Sequence, residues 1–212
     1  RADRATGRTG RPVEPDRVGQ DVADDSSGGG SDGGAGQVEV RVRRAVPADA
    51  AAIAGVHVRT WQRAYRGLLP QHFLDGLDPV RRVEVWAQIL VGASWPARGT
   101  LVAEDGGRVI GFAAICPSRD GDGHGTGELA AIYVDPACWG TGAGRALMDA
   151  AVTALAGAGF AEATLWVLAA NVRARRFYTA AGWLTDGAAQ EDQFGGVTVR
   201  EVRYRRLLPA PA

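Results

Sequence analysis

The sequence predicts an α/β protein, and three features of the chain point to this class. Segments in which apolar and polar residues alternate, as in half-buried strands, are interleaved with segments whose apolar residues recur at helical spacing. In the first half of the chain, two strand-like segments flank a glycine turn and predict a hairpin. In the second half a strand runs through a glycine-rich turn into a helix, which is typical of a sheet covered by helices.

The first half contains three predicted strands and two predicted helices. Residues 38–42 alternate valine with charged residues, which predicts a strand, and a helix begins at Pro47. A second helix is predicted over 80–91. An Asp-Gly-Gly turn then joins strands predicted over 100–104 and 109–116.

The second half continues with a fourth strand over 129–134, which stops at an Asp-Pro pair. The glycine-rich turn follows and leads into a helix over 145–156, after which a fifth strand is predicted over 163–168. Asn171 is suited to cap a last helix. Closing strands are predicted from Trp183 onward, ending with 197–204.

The chain divides into two regions of different composition. Residues 1–37 have almost no large apolar side chain and include a run of Asp, Ser and Gly. Such a segment buries too little surface to offset the entropy of ordering it, so we expect a disordered N-terminal arm, with docking as the lesser possibility. Residues 38–212 are enough for one core and are predicted to form one domain.

Charge and composition limit the partners of the protein. Its 24 basic residues balance 24 acidic ones, so no overall basic field exists, and we expect neither nucleic acid nor membrane as a partner. No apolar stretch approaches the roughly 20 residues needed to cross a bilayer, and we expect a cytoplasmic protein. Cys116 and Cys138 are too few for a disulfide framework or a cysteine-rich zinc site, and we expect free thiols.

The glycine-rich turn is the central chemical feature of the sequence. Gly140, Gly142 and Gly144 precede a helix, where backbone N–H groups can approach a phosphate and the helix dipole favours its charge. The motif alone also fits a dinucleotide fingerprint, with Glu162 about 20 residues further on, or a purely structural turn. A dinucleotide-binding fold places this loop after its first strand, whereas a hairpin-rich half precedes it here.

Three segments follow one another along the chain: Glu128-Leu129-Ala130-Ala131-Ile132-Tyr133-Val134-Asp135-Pro136, the Gly-x-Gly-x-Gly turn, and Asn171-x-x-Ala174-x-x-Phe177-Tyr178-x-x-x-Gly182-Trp183. Together and in this order they resemble the GNAT (Gcn5-related) N-acetyltransferase superfamily. The first part of the chain, with Arg43-Arg44-Ala45 through Pro47-Ala48-Asp49, Thr60-Trp61 and Ala64-Tyr65-Arg66-Gly67, is similar to the opening of uncharacterised bacterial members. The resemblance covers roughly 40–208 and implies a mixed central sheet, flanked by helices, whose fourth and fifth strands splay apart.

The resemblance also implies acetyl-CoA as the acyl donor. Its pantetheine arm is expected in the gap between the splayed strands, bonded to the amides of Ile132 and Val134 and to Asn171, and its pyrophosphate on the glycine turn. Trp139 departs from the Gln or Arg with which the family's loop usually begins. The residues implied to hold the coenzyme are Ile132, Tyr133, Val134, Trp139, Gly140, Thr141, Gly142, Ala143, Gly144, Arg145 and Asn171.

By the same resemblance, two residues are candidates for catalysis. Glu128 matches the general base of the histone-acetylating branch, and Tyr178 matches the tyrosine that returns a proton to the coenzyme sulfur. Acyl transfer by direct attack in a ternary complex needs both a base and an acid. The simpler interpretations are a solvated glutamate at a strand start and an ordinary half-buried aromatic residue.

The acceptor is less well defined by the sequence. Trp61 and Tyr65 lie at i and i+4 on one helix face, where they would either line the acceptor pocket or belong to the core. We expect a small-molecule or peptide amine as acceptor and a monomer or homodimer. The alternative function is a non-catalytic acyl-CoA-binding sensor or regulatory module; a dinucleotide-dependent oxidoreductase is a third.

The polar loop over 118–125 has the composition of a weak metal-binding loop. The loop carries three side chains that can ligate a metal ion at alternate positions, Asp120, Asp122 and His124. A glycine-rich surface turn between strands explains the same residues, and we expect no metal.

Overall fold

The computed structural model describes residues 39–121 and 125–210, so the predicted arm over 1–37 lies outside the described residues. Within the described ranges no helix is long and apolar enough to cross a membrane. The α-helices of these ranges are α1 (Ala50–Ala64), α2 (Gln71–Asp75), α3 (Pro79–Val91), α4 (Ala143–Gly157) and α5 (Val172–Ala180). The strands are β1 (Arg41–Arg44), β2 (Gly99–Asp105), β3 (Arg108–Pro117), β4 (Gly127–Val134), β5 (Glu162–Leu168), β6 (Leu184–Phe194) and β7 (Val197–Leu207).

The strands form one mixed sheet in the order β1-β2-β3-β4-β5-β7-β6. Every neighbouring pair is antiparallel except β4 and β5, which are parallel because α4 connects them. The α/β class and the mixed sheet flanked by helices are confirmed. The sequence did not indicate the short helix α2 or the bounds of β6, whose side chains are exposed or half-buried throughout and therefore lack an apolar pattern.

Strands β4 and β5 part near the middle of the sheet. They pair only at Gly127 with Ala163 and at Glu128 with Thr164. The register between β3 and β4 shifts just beyond this point and leaves Ala130 as an extra residue on β4. Such a bulge bends its strand, so β4 leaves its parallel neighbour. The predicted splaying of the fourth and fifth strands is confirmed.

The sheet separates two cores, and the residues of β4 alternate between them. Ile132 and Val134 belong to the core that α4 and α5 cover, whereas Ala131 and Tyr133 belong to the core under α1 and α3. A ligand between β4 and β5 would therefore be bordered by both cores.

An aromatic cluster fills the core beneath α1, and His57 lies at its centre. The ring of Tyr133 stacks on the imidazole at 5.1 Å, and Trp86 Nε1 donates a hydrogen bond to His57 Nδ1 at 3.2 Å. Among the described residues, His57 Nε2 has no hydrogen-bond partner. Complete burial lowers the pKa of His57 well below its ordinary value of 6.5, and the charge of Arg82 acts in the same direction.

We expect His57 to make the fold less stable in mild acid. Below about pH 6.5 the unfolded chain binds a proton at this imidazole and the folded chain does not. The contribution of neutral His57 to the free energy of unfolding is therefore complete above that pH and is lost progressively below it. As the pH falls towards 5, the free energy of unfolding should decrease by about 1.4 kcal/mol per pH unit from this residue. Urea unfolding of wild type and His57→Gln measures the difference in slope.

The exposed His72 provides the matched control. His72→Gln should keep the wild-type pH dependence of unfolding between pH 5 and 6.5. If His57→Gln also keeps it, the buried imidazole does not control acid stability.

Candidate active site

The edge of β4 that faces β5 carries backbone groups that the sheet does not pair. The Asp135 amide donates to the Ile110 carbonyl on the β3 side at 2.8 Å, and successive residues of a strand point their N–H groups to opposite sides. The amides of Ile132 and Val134 therefore point away from β3. They face β5 beyond Glu128, where β4 and β5 no longer pair.

The end of this edge is fixed by two side chains. Thr60 Oγ1 on α1 and Trp139 Nε1 both donate to the Val134 carbonyl, at 3.0 and 2.9 Å. The guanidinium of Arg173, in the first turn of α5, lies 3.7 Å from the centre of the Trp139 ring, a cation–π contact. Trp139 thus fastens the glycine turn to β4, and Arg173 brings a positive charge beside it that the sequence did not reveal.

The glycine turn ends in an uncapped helix. Gly140 and Gly142 have φ values of 79° and 83°, the left-handed region that favours glycine. Gly142 is the N-cap of α4 and has no side chain to bond the first amides; the first helical bond runs from Ala146 N to the Gly142 carbonyl at 3.0 Å. The N–H groups of Ala143 and Gly144 precede that bond, so this 15-residue helix presents free donors and the positive end of its dipole to an anion.

The side chains of this turn are engaged locally. Thr141 Oγ1 donates to the Cys138 carbonyl at 2.8 Å, which tightens the turn. Arg145, on the first turn of α4, approaches Asp149 at 3.4 Å. Both side chains are largely exposed, so this ion pair is weak, and Arg145 can turn towards a bound anion at little cost.

Asn171 caps α5 with its side-chain oxygen, and its side-chain nitrogen is a second polar group at this site. Its Oδ1 accepts a hydrogen bond from Ala174 N at 3.1 Å, as an N-cap does. The residue is only 4% exposed, and its Nδ2 has no hydrogen-bond partner among the described residues. A buried amide donor without an acceptor is costly, and a ligand carbonyl would satisfy it.

Tyr178 lies fully buried on α5, in the same core as Ile132 and Val134. Its ring packs against Phe177 and Tyr204, with centroid distances of 5.5 and 6.0 Å. The structure therefore places Tyr178 on the α4 side of the sheet.

Glu128 lies on the opposite face of the sheet. It is paired with Thr164, and Leu168, four residues along β5 on the same face, packs in the core beneath α1. The Glu128 side chain is 1% exposed and forms an ion pair with Arg119. Arg119 Nε bonds both carboxylate oxygens at 3.1 Å, Nη2 bonds Oε1, and the Arg119 backbone amide donates to Oε2 at 2.9 Å. The sequence did not reveal this partner, because a single arginine in a polar loop carries no pattern.

Asp120, the residue after Arg119, is bonded to β5 and β7, which lie across the gap from β4. Asp120 accepts hydrogen bonds from Trp166 Nε1 on β5 at 3.1 Å and from Arg203 Nη1 on β7 at 3.0 Å. Arg203 Nε also donates to Asp186 at 2.7 Å. Burial would raise the pKa of Asp186, but hydrogen bonds from the Ala188 amide and from Arg203 hold it below its ordinary value.

Trp61 and Tyr65 are both fully buried beneath α1. Their rings lie 5.3 Å apart, and the Trp61 ring also meets Phe194, near the tip of the hairpin formed by β6 and β7, at 6.1 Å. The structure places both residues in the core between α1 and this hairpin and not on an open surface.

Over residues 39–121 and 125–210, no group of three His, Cys, Asp or Glu side chains is arranged to hold a metal ion. Asp122 and His124 lie outside the described residues. Asp120 is bonded to Trp166 and Arg203 as described above.

Residues 58–183 match the sequence profile of the acetyltransferase (GNAT) family. This match includes β4, the glycine turn, β5 and Tyr178. The chain therefore belongs to this family. The resemblance found in the three sequence segments is thereby confirmed.

Individual relatives agree with the assignment. The uncharacterized N-acetyltransferase YuaI of Bacillus subtilis is 34% identical over 166 residues, which cover 77% of this chain and 90% of YuaI. The PaiA N-acetyltransferase of Thermoplasma acidophilum, solved with coenzyme A, superposes with a TM-score of 0.62 at 16% identity. The superposition covers 80% of this chain and 99% of the PaiA chain. YncA of Salmonella typhimurium, solved with its cofactor acetyl-CoA, gives a TM-score of 0.61 at 23% identity over 82% of this chain and 96% of that one.

Proposed function

We propose that the protein transfers an acetyl group from acetyl-CoA to a primary amine by direct attack in a ternary complex. The observation that carries this proposal is the parting of β4 and β5, which leaves the Ile132 and Val134 amides facing a gap beside the uncapped start of α4. Family membership and the coenzyme complexes of two structural neighbours support it.

The groups around the gap fit the parts of acetyl-CoA. The amides of Ile132 and Val134 would pair with the acetylated pantetheine arm as an added strand does, with the Ile132 amide at its acetyl carbonyl, and Asn171 Nδ2 would donate to a carbonyl of the arm. The amides at the start of α4, with Arg145 and Arg173 nearby, would hold the pyrophosphate. When bound, acetyl-CoA supplies an acetyl group activated as a thioester.

Two residues on opposite faces of the sheet would each carry out one proton transfer. From the α1 face, Glu128 would accept a proton from the acceptor ammonium and leave a neutral amine. As the amine nitrogen bonds the carbonyl carbon, the Ile132 amide would stabilise the oxygen that gains charge. When the carbon–sulfur bond breaks, Tyr178 on the other face would give a proton to the sulfur, and the new amide would lose one proton to solvent.

The acceptor would enter on the α1 face, because Glu128 lies there. Trp61 and Tyr65 are fully buried and would support that region from the core beneath it without touching the acceptor.

Asn171→Asp should separate the coenzyme role of this residue from its capping role. Aspartate keeps the oxygen that caps α5 but lacks the amide donor, so the melting temperature should stay near that of wild type. The Kd for acetyl-CoA, measured by calorimetry, should rise about tenfold because one hydrogen bond is lost.

Asn171→Ala is the control, because it removes the cap as well. It should weaken acetyl-CoA binding and also lower stability by about 1 kcal/mol. Wild-type affinity in Asn171→Asp would mean that the buried Nδ2 does not meet the coenzyme.

Tyr178→Phe should reduce turnover far more than coenzyme binding. Loss of the hydroxyl removes the proton donor to the sulfur, and kcat for thiol release should fall by about 100-fold or more, with the Kd for acetyl-CoA nearly unchanged. The neighbouring Tyr204→Phe is the matched control and should keep kcat close to wild type. An unchanged kcat in Tyr178→Phe would leave this tyrosine a core residue only, and binding without thiol release in wild type would favour the non-catalytic sensor.

A further inference from the structure

Thr164 carries a buried hydroxyl at the point where β4 and β5 part. It stands opposite Glu128 in the last pair of the two strands. The residue is 1% exposed, and its Oγ1 has no hydrogen-bond partner among the described residues. A buried hydroxyl without a partner costs free energy, so a ligand that bonds it at this position would be favoured.

The side chain of Thr164 lies on the α1 face of the sheet, as that of Glu128 does. Its neighbours in β5, Ala163 and Leu165, belong to the core that α4 and α5 cover. Successive side chains of a strand point to opposite faces, so Thr164 points to the other side. The hydroxyl therefore adjoins Glu128 on the face by which the acceptor would enter.

The carboxylate of Glu128 is already engaged in hydrogen bonds at both oxygens. Arg119 Nε bonds both of them at 3.1 Å, Nη2 bonds Oε1, and the Arg119 backbone amide bonds Oε2 at 2.9 Å. Each oxygen thus accepts two bonds, which fills the roughly four lone-pair sites of a carboxylate. An acceptor nitrogen that arrives beside Glu128 needs another hydrogen-bond acceptor to hold it there, and the oxygen of the Thr164 hydroxyl is one.

The coenzyme would stop short of Thr164. It is proposed to pair with Ile132 and Val134, whereas at Glu128 and Thr164 the two strands still pair with each other and leave no room for an added strand. The end of the coenzyme nearest to Thr164 would be the acetyl group, because its carbonyl would lie at the Ile132 amide and the rest of the arm would extend towards Val134. The hydroxyl is therefore placed for the acceptor and not for the pantetheine arm.

We infer that Thr164 binds the acceptor: its hydroxyl oxygen accepts a hydrogen bond from the acceptor nitrogen and holds that nitrogen between Glu128 and the acetyl group. The inference rests on the proposed acetyltransferase function. Held there, the ammonium lies beside the carboxylate that would take its proton, and the neutral amine that results lies at the acetyl end of the coenzyme.

Thr164→Val tests this role, because valine keeps the shape of the side chain and removes only the hydroxyl. Thiol release is measured at saturating acetyl-CoA with ethylamine, spermidine, glucosamine, L-methionine and a hexapeptide that has a free amino terminus, and the best of these acceptors is used for every variant. In Thr164→Val, kcat/KM for the acceptor should fall about tenfold, mostly through a higher KM, which corresponds to about 1.4 kcal/mol. The melting temperature should be unchanged or higher, since a buried hydroxyl without a partner is removed.

Two further variants separate the hydroxyl from the packing of the strand. Thr164→Ser keeps the hydroxyl and should restore kcat/KM to within about threefold of wild type. Thr100→Val is the matched control, because Thr100 is also buried with an unpartnered Oγ1 but lies on β2, which β3 separates from β4. It should keep the wild-type kcat/KM. Wild-type kcat/KM in Thr164→Val, or an equal loss in Thr164→Ser, would overturn the inference.

Calorimetry with acetyl-CoA on each variant separates the possible failures. The Kd of Thr164→Val should equal that of wild type, and a weaker Kd would assign the hydroxyl to the coenzyme and overturn the inference. If wild type does not bind acetyl-CoA, or binds it and acetylates none of the amines, the proposed function fails and the role of Thr164 fails with it. Acetylation by wild type with no effect of Thr164→Val contradicts only the inference about Thr164.

Discussion

The structure depends on a sheet that is interrupted at its centre. A strand inside a sheet normally satisfies its backbone groups on both sides, but β4 and β5 pair through two residues only. The bulge at Ala130 bends β4 away, and the amides of Ile132 and Val134 are left facing the gap. The glycine turn and the start of α4 lie at the end of that open edge, where Trp139 bonds the Val134 carbonyl, so the open edge and the proposed anion site adjoin.

An interrupted sheet needs other contacts to hold its two halves together. Arg119 and Asp120 are adjacent in sequence, yet Arg119 pairs with Glu128 on β4 while Asp120 is bonded to Trp166 on β5 and to Arg203 on β7. These two residues therefore bridge the halves on the α1 face. Charged residues suit this position because hydrogen-bonded ion pairs fix orientation as well as distance.

Much of this fold follows from local patterns in the sequence. The hairpin of β2 and β3, the strand that ends at Asp135 and the helix capped by Asn171 were all predictable, because alternation, turn residues and capping residues are local. The edge strand β6 lacks an apolar face, and its bounds could not be predicted. The glycine turn indicated an anion site, but the contact of Arg173 with Trp139 joins elements more than 30 residues apart and has no local signal. The Arg119 partner of Glu128 and the burial of Trp61 and Tyr65 depend on tertiary packing in the same way.

Amide hydrogen exchange with and without acetyl-CoA tests whether the coenzyme pairs with the open edge of β4, as we propose. The amides of Ile132 and Val134 should exchange much more slowly when acetyl-CoA is bound. The amides of Ala131 and Tyr133 already pair with β3 and serve as internal controls, whose exchange should change little. NADH should protect none of the four. If Ile132 and Val134 exchange at saturating acetyl-CoA as they do in the free protein, the coenzyme does not pair with β4.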